Sequence, residues 1–403
     1  MTDTRAGTAA RGSIFLVRGA FRPGSDAVSR SMLELALAIQ RAGQDVKIIS
    51  WTGPGQFGML DLAGPGTVVP LGPGSDSGRY TSMDRATFLV KAALYLWNNA
   101  QRGDSVVTLE DPTALGLAAV PVRWRRKVKH YTYLMDLQSI QYLSLHHGGL
   151  RSAVINRIRR ELDRFTWRSS DAVVVLGECM KTIVQSVESC ARVEVIPIWQ
   201  DSSRIHPVEA GGIRQALGTG DKLVVMYHGH ATYRQPMNLI LAAAEELRAD
   251  SGITFSVVGN GPSVDWLKQS AAERKLTNID VQASVDKFDF LTVLSSADVH
   301  LAILDERATG TCVPSKTYTA MAVGKPCLYL GAEYGQAAMD VTAARSGYVV
   351  ATDDLRGFVA CLHELSNNEA DRLQMGQRGL EYFTRERDLA VIGEKWMDLL
   401  VSV

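Results

Sequence analysis

The sequence VPSKTYTAMAVGKP at residues 313–326 predicts a helix whose first turn can hold an anion. Pro314 keeps the preceding residue extended, Ser315 is a favourable N-cap, and Lys316 adds a positive charge to the first turn. Gly324 can adopt the left-handed conformation that ends a helix. The free N–H groups and the dipole at such a helix start suit a phosphate. A capped amphipathic helix with a solvated lysine is the simpler interpretation of this segment alone.

An apolar run of strand length, ADVHLAIL at residues 297–304, comes just before this helix. A strand followed by a helix places the helix start at the carboxyl end of a parallel sheet, where ligands bind in open α/β folds. The two segments together therefore predict an anion site in an α/β domain.

Strand-like and helix-like segments alternate through both halves of the chain. In the first half the predicted strands are 13–17, 46–49, 105–109, 130–134, 172–176 and 193–196, and the predicted helices include 26–42, 87–98 and 152–168. In the second half the predicted strands are 223–227, 254–258, 280–282, 299–304, 327–330 and 348–350, and the predicted helices include 238–248, 264–274 and 385–401. This alternation is typical of parallel sheets covered by helices on both faces.

The pattern restarts after residues 200–210, which predicts an α/β protein of two Rossmann-like domains facing each other across a cleft. We expect the first domain to span residues 1–203, with a C-terminal helix at about 385–403 packing back on it, and the second to span 204–384. The Gly- and Pro-rich residues 53–78 predict a long surface loop. Neither half opens with the G-x-G-x-x-G fingerprint, and no P-loop sequence occurs.

The composition is that of a globular protein, with 46% hydrophobic and 21% charged residues in a chain of 403, which is long enough for two domains. No apolar run approaches the roughly 18 residues that a membrane-spanning helix needs, and residues 1–12 lack the apolar core of a signal peptide. We therefore expect a cytoplasmic protein. The five scattered cysteines include no C-x-x-C pair, which argues against a disulfide framework or a zinc site and favours mostly buried thiols.

Positive charge is concentrated in the first half of the chain. Residues 1–200 carry 24 Lys and Arg against 17 Asp and Glu, whereas residues 201–403 carry 19 against 26. The excess lies in the run 123–129, which contains Trp124, and in six arginines between Arg151 and Arg168. These residues could contact anionic lipid, at the inner face of the cell membrane, or a phosphorylated acceptor, or they could form a solvated face. Nothing in the pattern suggests a nucleic-acid partner.

Seven short sequence features occur in a fixed order along nearly the whole chain. They are 23–25 (PGS), 134–137 (LMDL), 171–180 with 195–201 (DAVVVLGECM with VIPIWQD), 227–229 (YHG), 258–262 (VGNGP), 296–299 (SADV) and 314–316 (PSK). Together they resemble the retaining glycosyltransferases of family 4, and in particular the Pro-Ser-Lys branch found in bacterial surface polysaccharide biosynthesis. The resemblance implies a GT-B fold, a nucleotide-sugar donor and a saccharide or lipid-linked acceptor.

Several positions depart from the pattern of that family. Its members carry two glutamates in the donor loop and the helix after it, and the corresponding residues here are Thr311 and Thr319, which cannot ionise. Arg234 and Gln235 stand where many relatives have an arginine–lysine pair. The Pro-Ser-Lys branch often lacks the second glutamate, so Thr319 by itself does not imply an inactive enzyme.

Transfer of a sugar from a nucleotide requires stabilisation of the charge that develops on the leaving diphosphate. Arg234, Lys316 and the helix start at Pro314 and Ser315 are our candidates for this role. No D-x-D triplet and no metal-ligand spacing of histidines occurs, so we expect neither a metal nor another cofactor.

The remaining candidates follow predicted strands. We expect Asp136 to orient the acceptor or the donor sugar, although an aspartate there could also cap a helix. Glu306 could hold sugar hydroxyls in place of the missing glutamates. The other residues assigned to donor binding are Gly24, His228, Gly229, Gly259, Asn260, Gly261 and Thr319.

Three functions fit these residues. The first is a transferase that uses a nucleotide-sugar, with UDP-sugar favoured, and adds a hexosyl or N-acetylhexosaminyl group to a lipid-linked saccharide. In the second the acceptor is a small soluble natural product and the basic segments are only solvated. The third is a nucleotide-sugar binding protein without catalysis, which Thr311 and Thr319 motivate.

Overall fold

A computed structural model of the chain describes residues 12–22, 27–52, 67–72, 81–109, 114–140, 150–210, 213–216, 219–250, 252–283 and 289–401. The chain forms two compact units. The first consists of Met1–Pro197 together with Ile392–Val403, and the second of Ile198–Val391. Each unit is an α/β domain with one parallel sheet.

The sheet of the first unit has seven parallel strands in the order β3-β2-β1-β4-β5-β6-β7. They are β1 (Ile14–Arg18), β2 (Val46–Ser50), β3 (Val68–Pro70), β4 (Ser105–Leu109), β5 (Lys129–Leu134), β6 (Ala172–Val175) and β7 (Val193–Val195). Strands β1, β4 and β6 are mostly apolar and buried along their whole length, as expected for a parallel sheet with helices on both faces.

The helices of this unit are α1 (Ala27–Arg41), α2 (Ser82–Asn99), α3 (Val120–Arg126), α4 (Leu150–Ser169) and α5 (Glu178–Val187), with a 3₁₀ turn at Leu115–Ala118. Helix α2 begins with a capping box, because the Thr81 and Asp84 side chains each accept a hydrogen bond from the backbone N–H of the other residue. The chain returns to this unit at its C-terminal end. There the Trp396 ring packs edge-on against Tyr133 at 4.9 Å, and the Tyr131 hydroxyl donates to the Leu399 carbonyl.

The sheet of the second unit has six parallel strands in the order β10-β9-β8-β11-β12-β13. They are β8 (Leu223–His228), β9 (Ile253–Val258), β10 (Ile279–Gln282), β11 (Val299–Ile303), β12 (Cys327–Leu330) and β13 (Gly347–Val350). Strand order reverses at β8, which lies between β9 and β11. The carboxyl ends of these three strands are therefore the position where an open α/β sheet binds its ligand.

The helices of the second unit are α6 (Ile213–Ala216), α7 (Asn238–Glu246), α8 (Pro262–Glu273), α9 (Phe290–Ser295), α10 (Lys316–Ala322), α11 (Gln336–Ala344), α12 (Leu355–Asn367), α13 (Glu369–Glu386) and α14 (Leu389–Val401), of which α14 continues into the first unit. Short 3₁₀ turns lie at Leu247–Ala249 and Glu306–Ala308. The core of the unit is formed by apolar side chains such as Phe255, Leu267 and Phe358, between the sheet and helices α7, α8 and α12. Among the described residues, no helix is both long enough and apolar enough to cross a membrane.

Two predicted segments differ from the structure. Residues 53–78 do not form only a loop, since β3 lies within them and pairs with β2 through Ile48 and Val68. The last helix, predicted as continuous over 385–401, is broken at Arg387 and Asp388. There the Gln200 N–H donates to the Arg387 carbonyl, and the Leu389 N–H donates to the Gln200 carbonyl, so the backbone pairs across the chain instead of along the helix.

The prediction of mostly buried thiols is wrong. All five cysteines are free, but only Cys312 and Cys327 are buried, while Cys179 and Cys361 are partly exposed and Cys190 is exposed.

Candidate functional site

Three glycines, Gly229, Gly259 and Gly261, bring the loops after β8 and β9 into direct backbone contact. A Cβ atom on Gly259 would lie far inside the van der Waals distance of the Gly229 carbonyl oxygen. Gly261 has φ +108° and Gly229 has φ +92°, which favour glycine, and a Cβ atom on Gly261 would also meet the His230 ring at 2.8 Å. Gly259 is buried and Gly229 and Gly261 are half-buried, so the cluster places backbone without side chains at the carboxyl ends of the two strands.

Lys316 lies over this cluster. Its ammonium donates to the His230 carbonyl at 3.4 Å and stands 5.1 Å from the centre of the Tyr227 ring. The position of a Cβ atom on Gly229 would be 3.6 Å from the ammonium nitrogen. Loss of solvation and the positive charge of Arg234 lower the pKa of Lys316 to about 8. Among the described residues no carboxylate forms an ion pair with Lys316, so the ammonium is available to an anion.

The start of α10 differs from the predicted capped helix. Ser315 has helical backbone angles, φ −66° and ψ −20°, and its side chain makes no capping hydrogen bond. Its carbonyl instead accepts from the N–H groups of Tyr318 and Thr319. Pro314 is half-buried just before it, and Gly324 ends the helix with φ +67°, as predicted. The helix has seven residues, so its dipole is small and the ammonium of Lys316 contributes most of the local positive charge.

Two buried histidines, His228 and His300, lie near the start of α10. The rings of His228 and His300 are 5.5 Å apart and nearly perpendicular. Burial lowers the pKa of His300 to about 4, and its Nε2 donates to the Leu294 carbonyl at 3.0 Å. Burial, together with His300 and Lys316, lowers the pKa of His228 well below its ordinary value. Both rings are therefore neutral at physiological pH, and the Nδ1 atom of His228 is buried without a hydrogen-bond partner.

His230 and Asn260 form the outer side of the glycine cluster. The Nδ1 atom of His230 and the Oδ1 atom of Asn260 are 2.7 Å apart, so Nδ1 carries the proton and donates. The hydroxyl of Tyr227 donates to the carbonyl of the same histidine at 3.1 Å. The loop after β8 is thus fixed from two directions.

The loop after β11 lies beside the loop that carries Arg234. The Asp305 N–H donates to the Arg234 carbonyl at 2.8 Å, which ties the two loops together. The Asp305 side chain pairs with Arg307 at 2.7 Å, and the arginine lowers the pKa of that carboxyl. Glu306 is exposed at the start of the 3₁₀ turn, so its carboxylate is accessible to a ligand. Gln235 accepts from Thr232 and so holds the turn itself.

The two threonines at the family's glutamate positions, Thr311 and Thr319, both form hydrogen bonds within the protein. The Thr311 hydroxyl is buried and donates to the Ala308 carbonyl at 2.6 Å. The Thr319 hydroxyl accepts from the Gln200 side-chain amide at 3.1 Å and reaches the Ser315 carbonyl at 3.4 Å. These hydroxyls stabilise the donor loop and the first turn of α10.

A separate cavity lies at the carboxyl ends of strands in the first unit. It has a volume of about 140 Å³, and its lining includes Arg18, Leu109, Tyr133, Asp136 and Gln138. Asp136 lies two residues after the end of β5 and two residues before the helical residues 138–140. The Tyr133 hydroxyl is buried without a hydrogen-bond partner, and burial raises the pKa of this phenol. Arg18 and Tyr133 were not among the predicted site residues, although Arg18 directly follows the predicted strand 13–17 and Tyr133 lies near the end of the predicted strand 130–134. Gly24 lies outside the described residues.

The described residues contain no group of three or more His, Cys, Asp or Glu side chains placed to hold a metal ion.

Both units match known sequence families. The glycosyl transferase 4-like domain family matches residues 26–199, and the glycosyl transferases group 1 family matches residues 222–368. A curated relative, the probable glycosyltransferase WbjE of Pseudomonas aeruginosa, is 27% identical over 239 residues. That alignment spans 58% of this chain and 58% of the relative.

Solved structures share the fold over nearly the whole chain. Sucrose-phosphate synthase of Thermosynechococcus elongatus superimposes with a TM-score of 0.76 at 16% identity, covering 96% of this chain and 98% of its own. Anabaena HepE in complex with UDP superimposes with a TM-score of 0.72 at 14% identity, covering 97% and 100%.

Proposed function

Because the chain belongs to the family 4 glycosyltransferases with the GT-B fold, we propose that it transfers a sugar from a nucleotide-sugar to an acceptor hydroxyl with retention of configuration. The donor we favour is a UDP-hexose or UDP-N-acetylhexosamine. The acceptor we favour is a lipid-linked saccharide in surface polysaccharide or glycolipid synthesis, which would be reached by a cytoplasmic enzyme at the inner face of the cell membrane. HepE was captured with UDP, which supports this choice of nucleotide.

The observation that carries the proposal is the position of Lys316 above the glycine cluster. Half-buried glycine backbone, an ammonium that pairs with no carboxylate of the described residues, and the neighbouring Arg234 meet at the topological switch point of the second sheet. A diphosphate bound there would receive two positive charges in a partly desolvated site, where charge-assisted hydrogen bonds are strong. The same arrangement would stabilise the charge that develops on the leaving oxygen during transfer.

The chemistry we propose is a transfer on one face of the sugar. The bond between the anomeric carbon and the diphosphate oxygen breaks, the acceptor oxygen bonds to that carbon on the same face, and its proton passes to the departing diphosphate. Lys316 and Arg234 neutralise the diphosphate in this step, so the proposal requires no metal. His228 is neutral and could donate to a sugar or phosphate oxygen without itself taking up a proton.

The Asp136 cavity provides a place for the acceptor or for the sugar being transferred. It combines the Asp136 carboxylate with Arg18 and with the Tyr133 hydroxyl, which lacks a partner and can donate to a saccharide oxygen. Asp136 would orient a hydroxyl, since positioning is the main contribution that a protein makes to such a step.

The experiment has two parts. A panel of UDP-, GDP- and TDP-sugars is first screened for thermal stabilisation of the protein, and the best donor is then incubated with and without acceptor while NMR follows the anomeric configuration. We expect a retained product whose formation continues in EDTA. Binding of the donor without hydrolysis or transfer would support the non-catalytic function instead. Loss of activity in EDTA that magnesium restores would show that a metal site exists and contradict the cation-based mechanism.

A further inference from the structure

The exposed apolar side chains of the protein are concentrated on three helices. Among the described residues 17 large hydrophobic side chains are exposed, and ten of them lie on α2, α3 and α4 of the first unit. These ten are Met83, Val90, Leu94, Trp97, Trp124, Val154, Ile155, Ile158, Leu162 and Phe165. A concentration of this kind marks an interaction site, whereas single exposed apolar residues do not.

Helix α4 buries several polar residues and exposes an apolar stripe. Asn156, Asp163 and Thr166 are buried on its inner side together with Trp167. On its outer side Ile158 is 56% exposed and Phe165 is 46% exposed. A surface helix of a globular protein normally buries its apolar stripe. The reversal indicates that the outer stripe is covered by something other than this unit's own core.

The three helices lie on the same face of the first sheet. The connections β3-α2-β4, β4-α3-β5 and β5-α4-β6 all move in the same direction across the strand order, so right-handed crossovers place their helices on one side. Helices α2 and α3 contact each other, and both α2 and α4 contact the 3₁₀ turn at Leu115–Ala118. The outer stripe of α2 has the helical spacing Met83, Val90, Leu94 and Trp97. We call the outward side of α2, α3 and α4 the docking face.

Arginines surround the apolar stripes of the docking face. A cavity of about 530 Å³ at the end of α2 has a lining that includes Trp97, Arg102, Arg125 and Arg126. A second cavity of about 310 Å³ beside α4 has a lining that includes Arg157, Arg160 and Arg164, together with Glu161. Not every cation is available. Arg123 makes a two-bond pair with Asp171, Arg168 pairs with Glu188, and Arg164 pairs with both Glu161 and Glu188.

We propose that the docking face binds the surface of an anionic lipid bilayer. Apolar side chains of α2 and α4 would enter the boundary between head groups and acyl chains, Trp97 and Trp124 would lie at the interface, and the arginines would contact lipid phosphates. Charge complementarity favours an anionic partner over a protein whose surface has few acidic residues. The exposed cations border the apolar stripes, and the helices that carry them have few carboxylates. The inference rests on the proposed function only in that a lipid-linked acceptor would explain why the enzyme needs a membrane.

The test is flotation of the full-length protein with vesicles of phosphatidylcholine alone and with vesicles containing phosphatidylglycerol. We expect binding to the anionic vesicles that weakens as salt increases. The apolar variant Ile158→Asp/Phe165→Asp and the charge variant Arg157→Glu/Arg160→Glu should each reduce the bound fraction about tenfold. Circular dichroism and thermal unfolding show whether each variant is folded.

Matched controls carry the same changes on the second unit. Trp266→Asp/Leu373→Asp replaces two exposed apolar residues, and Lys268→Glu/Arg356→Glu reverses two exposed cations, so both should leave vesicle binding unchanged. Absence of wild-type binding to anionic vesicles would overturn the proposal, as would equal losses in the controls. A wild-type dimer that the α4 apolar variant converts to a monomer would assign the face to a second copy instead. Thermal stabilisation by nucleotide-sugars, measured without vesicles, tests the proposed function separately, so either idea can fail while the other stands.

Discussion

The two units have sheets of the same type but differ in what they place at the ends of their strands and on their outer helices. Both sheets are parallel and follow the order 3-2-1-4-5-6, with one additional strand in the first. At the strand ends the second unit presents glycines and Lys316, whereas the first presents a small cavity with Asp136 and Tyr133. The first unit also carries ten of the 17 exposed large apolar side chains on one helical face, and the second has no comparable concentration among its described residues.

This difference shows that strand order alone does not determine the chemistry of a domain. In both units the topology creates a crevice at the carboxyl ends of the strands. The residues in the first positions after each strand decide which ligand fits there. Glycines and cations favour a diphosphate, while a carboxylate and a phenol favour sugar hydroxyls. The comparison can be tested by changing one unit and measuring what happens to the function proposed for the other.

The largest effect is expected from Gly259→Ala. The new methyl group would overlap the Gly229 carbonyl oxygen, so the loops after β8 and β9 would have to separate. Overpacking of this kind costs roughly 1–3 kcal/mol of stability, and we expect it to weaken nucleotide binding by about a hundredfold or more. Isothermal titration calorimetry measures the affinity.

The control for this change is Gly252→Ala in the same unit. A Cβ atom on Gly252 would meet only the Asp250 side chain, at 3.2 Å, and that side chain can move. This variant should bind nucleotide normally, and both variants should keep vesicle binding because the docking face is in the other unit. Unchanged nucleotide affinity in Gly259→Ala would mean that the glycine cluster is not the binding surface.

A second effect is expected from Lys316→Ala. Removal of a charge-assisted contact to a diphosphate should weaken donor binding by about 1.5–3 kcal/mol, which is roughly a 10- to 150-fold increase in Kd. Lys268→Ala on α8 removes an exposed lysine of the same unit and serves as the control. Equal donor affinity in the wild type and Lys316→Ala would remove the assignment of the diphosphate to this position.

Much of this fold could be predicted from the sequence because most of its strands are short apolar runs separated by helical periodicity. Strand β3 could not, since its three residues, Val68–Pro70, lie in a Gly- and Pro-rich segment and become a strand only by pairing with β2. The break in the last helix at Arg387 could not be predicted from the sequence either. It depends on Gln200, which is far away in sequence, and on a buried pair between Arg387 and Asp340 at 2.6 Å.

The candidate site was predictable only in part for a similar reason. The motif that contains Lys316 indicated an anion site, but the contact of its ammonium with the His230 carbonyl joins residues 86 positions apart. Ser315 has the residue type of an N-cap, yet its backbone is already helical and its side chain does not cap. The sequence predicted a helix at 152–168 but not which side of it faces the core, because Asn156 and Asp163 are buried while Ile158 and Phe165 are exposed.

A smaller effect is expected from Asp136→Asn. If the two strand-end sites have separate roles, this variant should bind nucleotide as tightly as the wild type while transfer to the acceptor slows by about tenfold, the magnitude expected for a lost hydrogen bond to a charged group. Asp353→Asn, an exposed carboxylate of the second unit, is the control. Steady-state kinetics with saturating donor separates kcat from the KM of the acceptor. A loss of donor affinity in Asp136→Asn would contradict the division of roles.

The smallest effect is a pH dependence that belongs to the second unit alone. The pKa of Lys316 is lowered to about 8 by loss of solvation and by Arg234, and a bound diphosphate favours the protonated form, so binding should take up protons near that pH. Donor affinity should therefore be full below about pH 7 and fall roughly fourfold by about pH 8.5, as the ammonium loses its proton. A nucleotide-sugar is the suitable ligand because its diphosphate does not titrate in this range. In Lys316→Arg the guanidinium stays charged, so the affinity that remains should not change with pH. A wild-type affinity that is constant from about pH 7 to 8.5, or a decline of equal size in Lys316→Arg, would show that the ammonium of Lys316 does not meet the diphosphate.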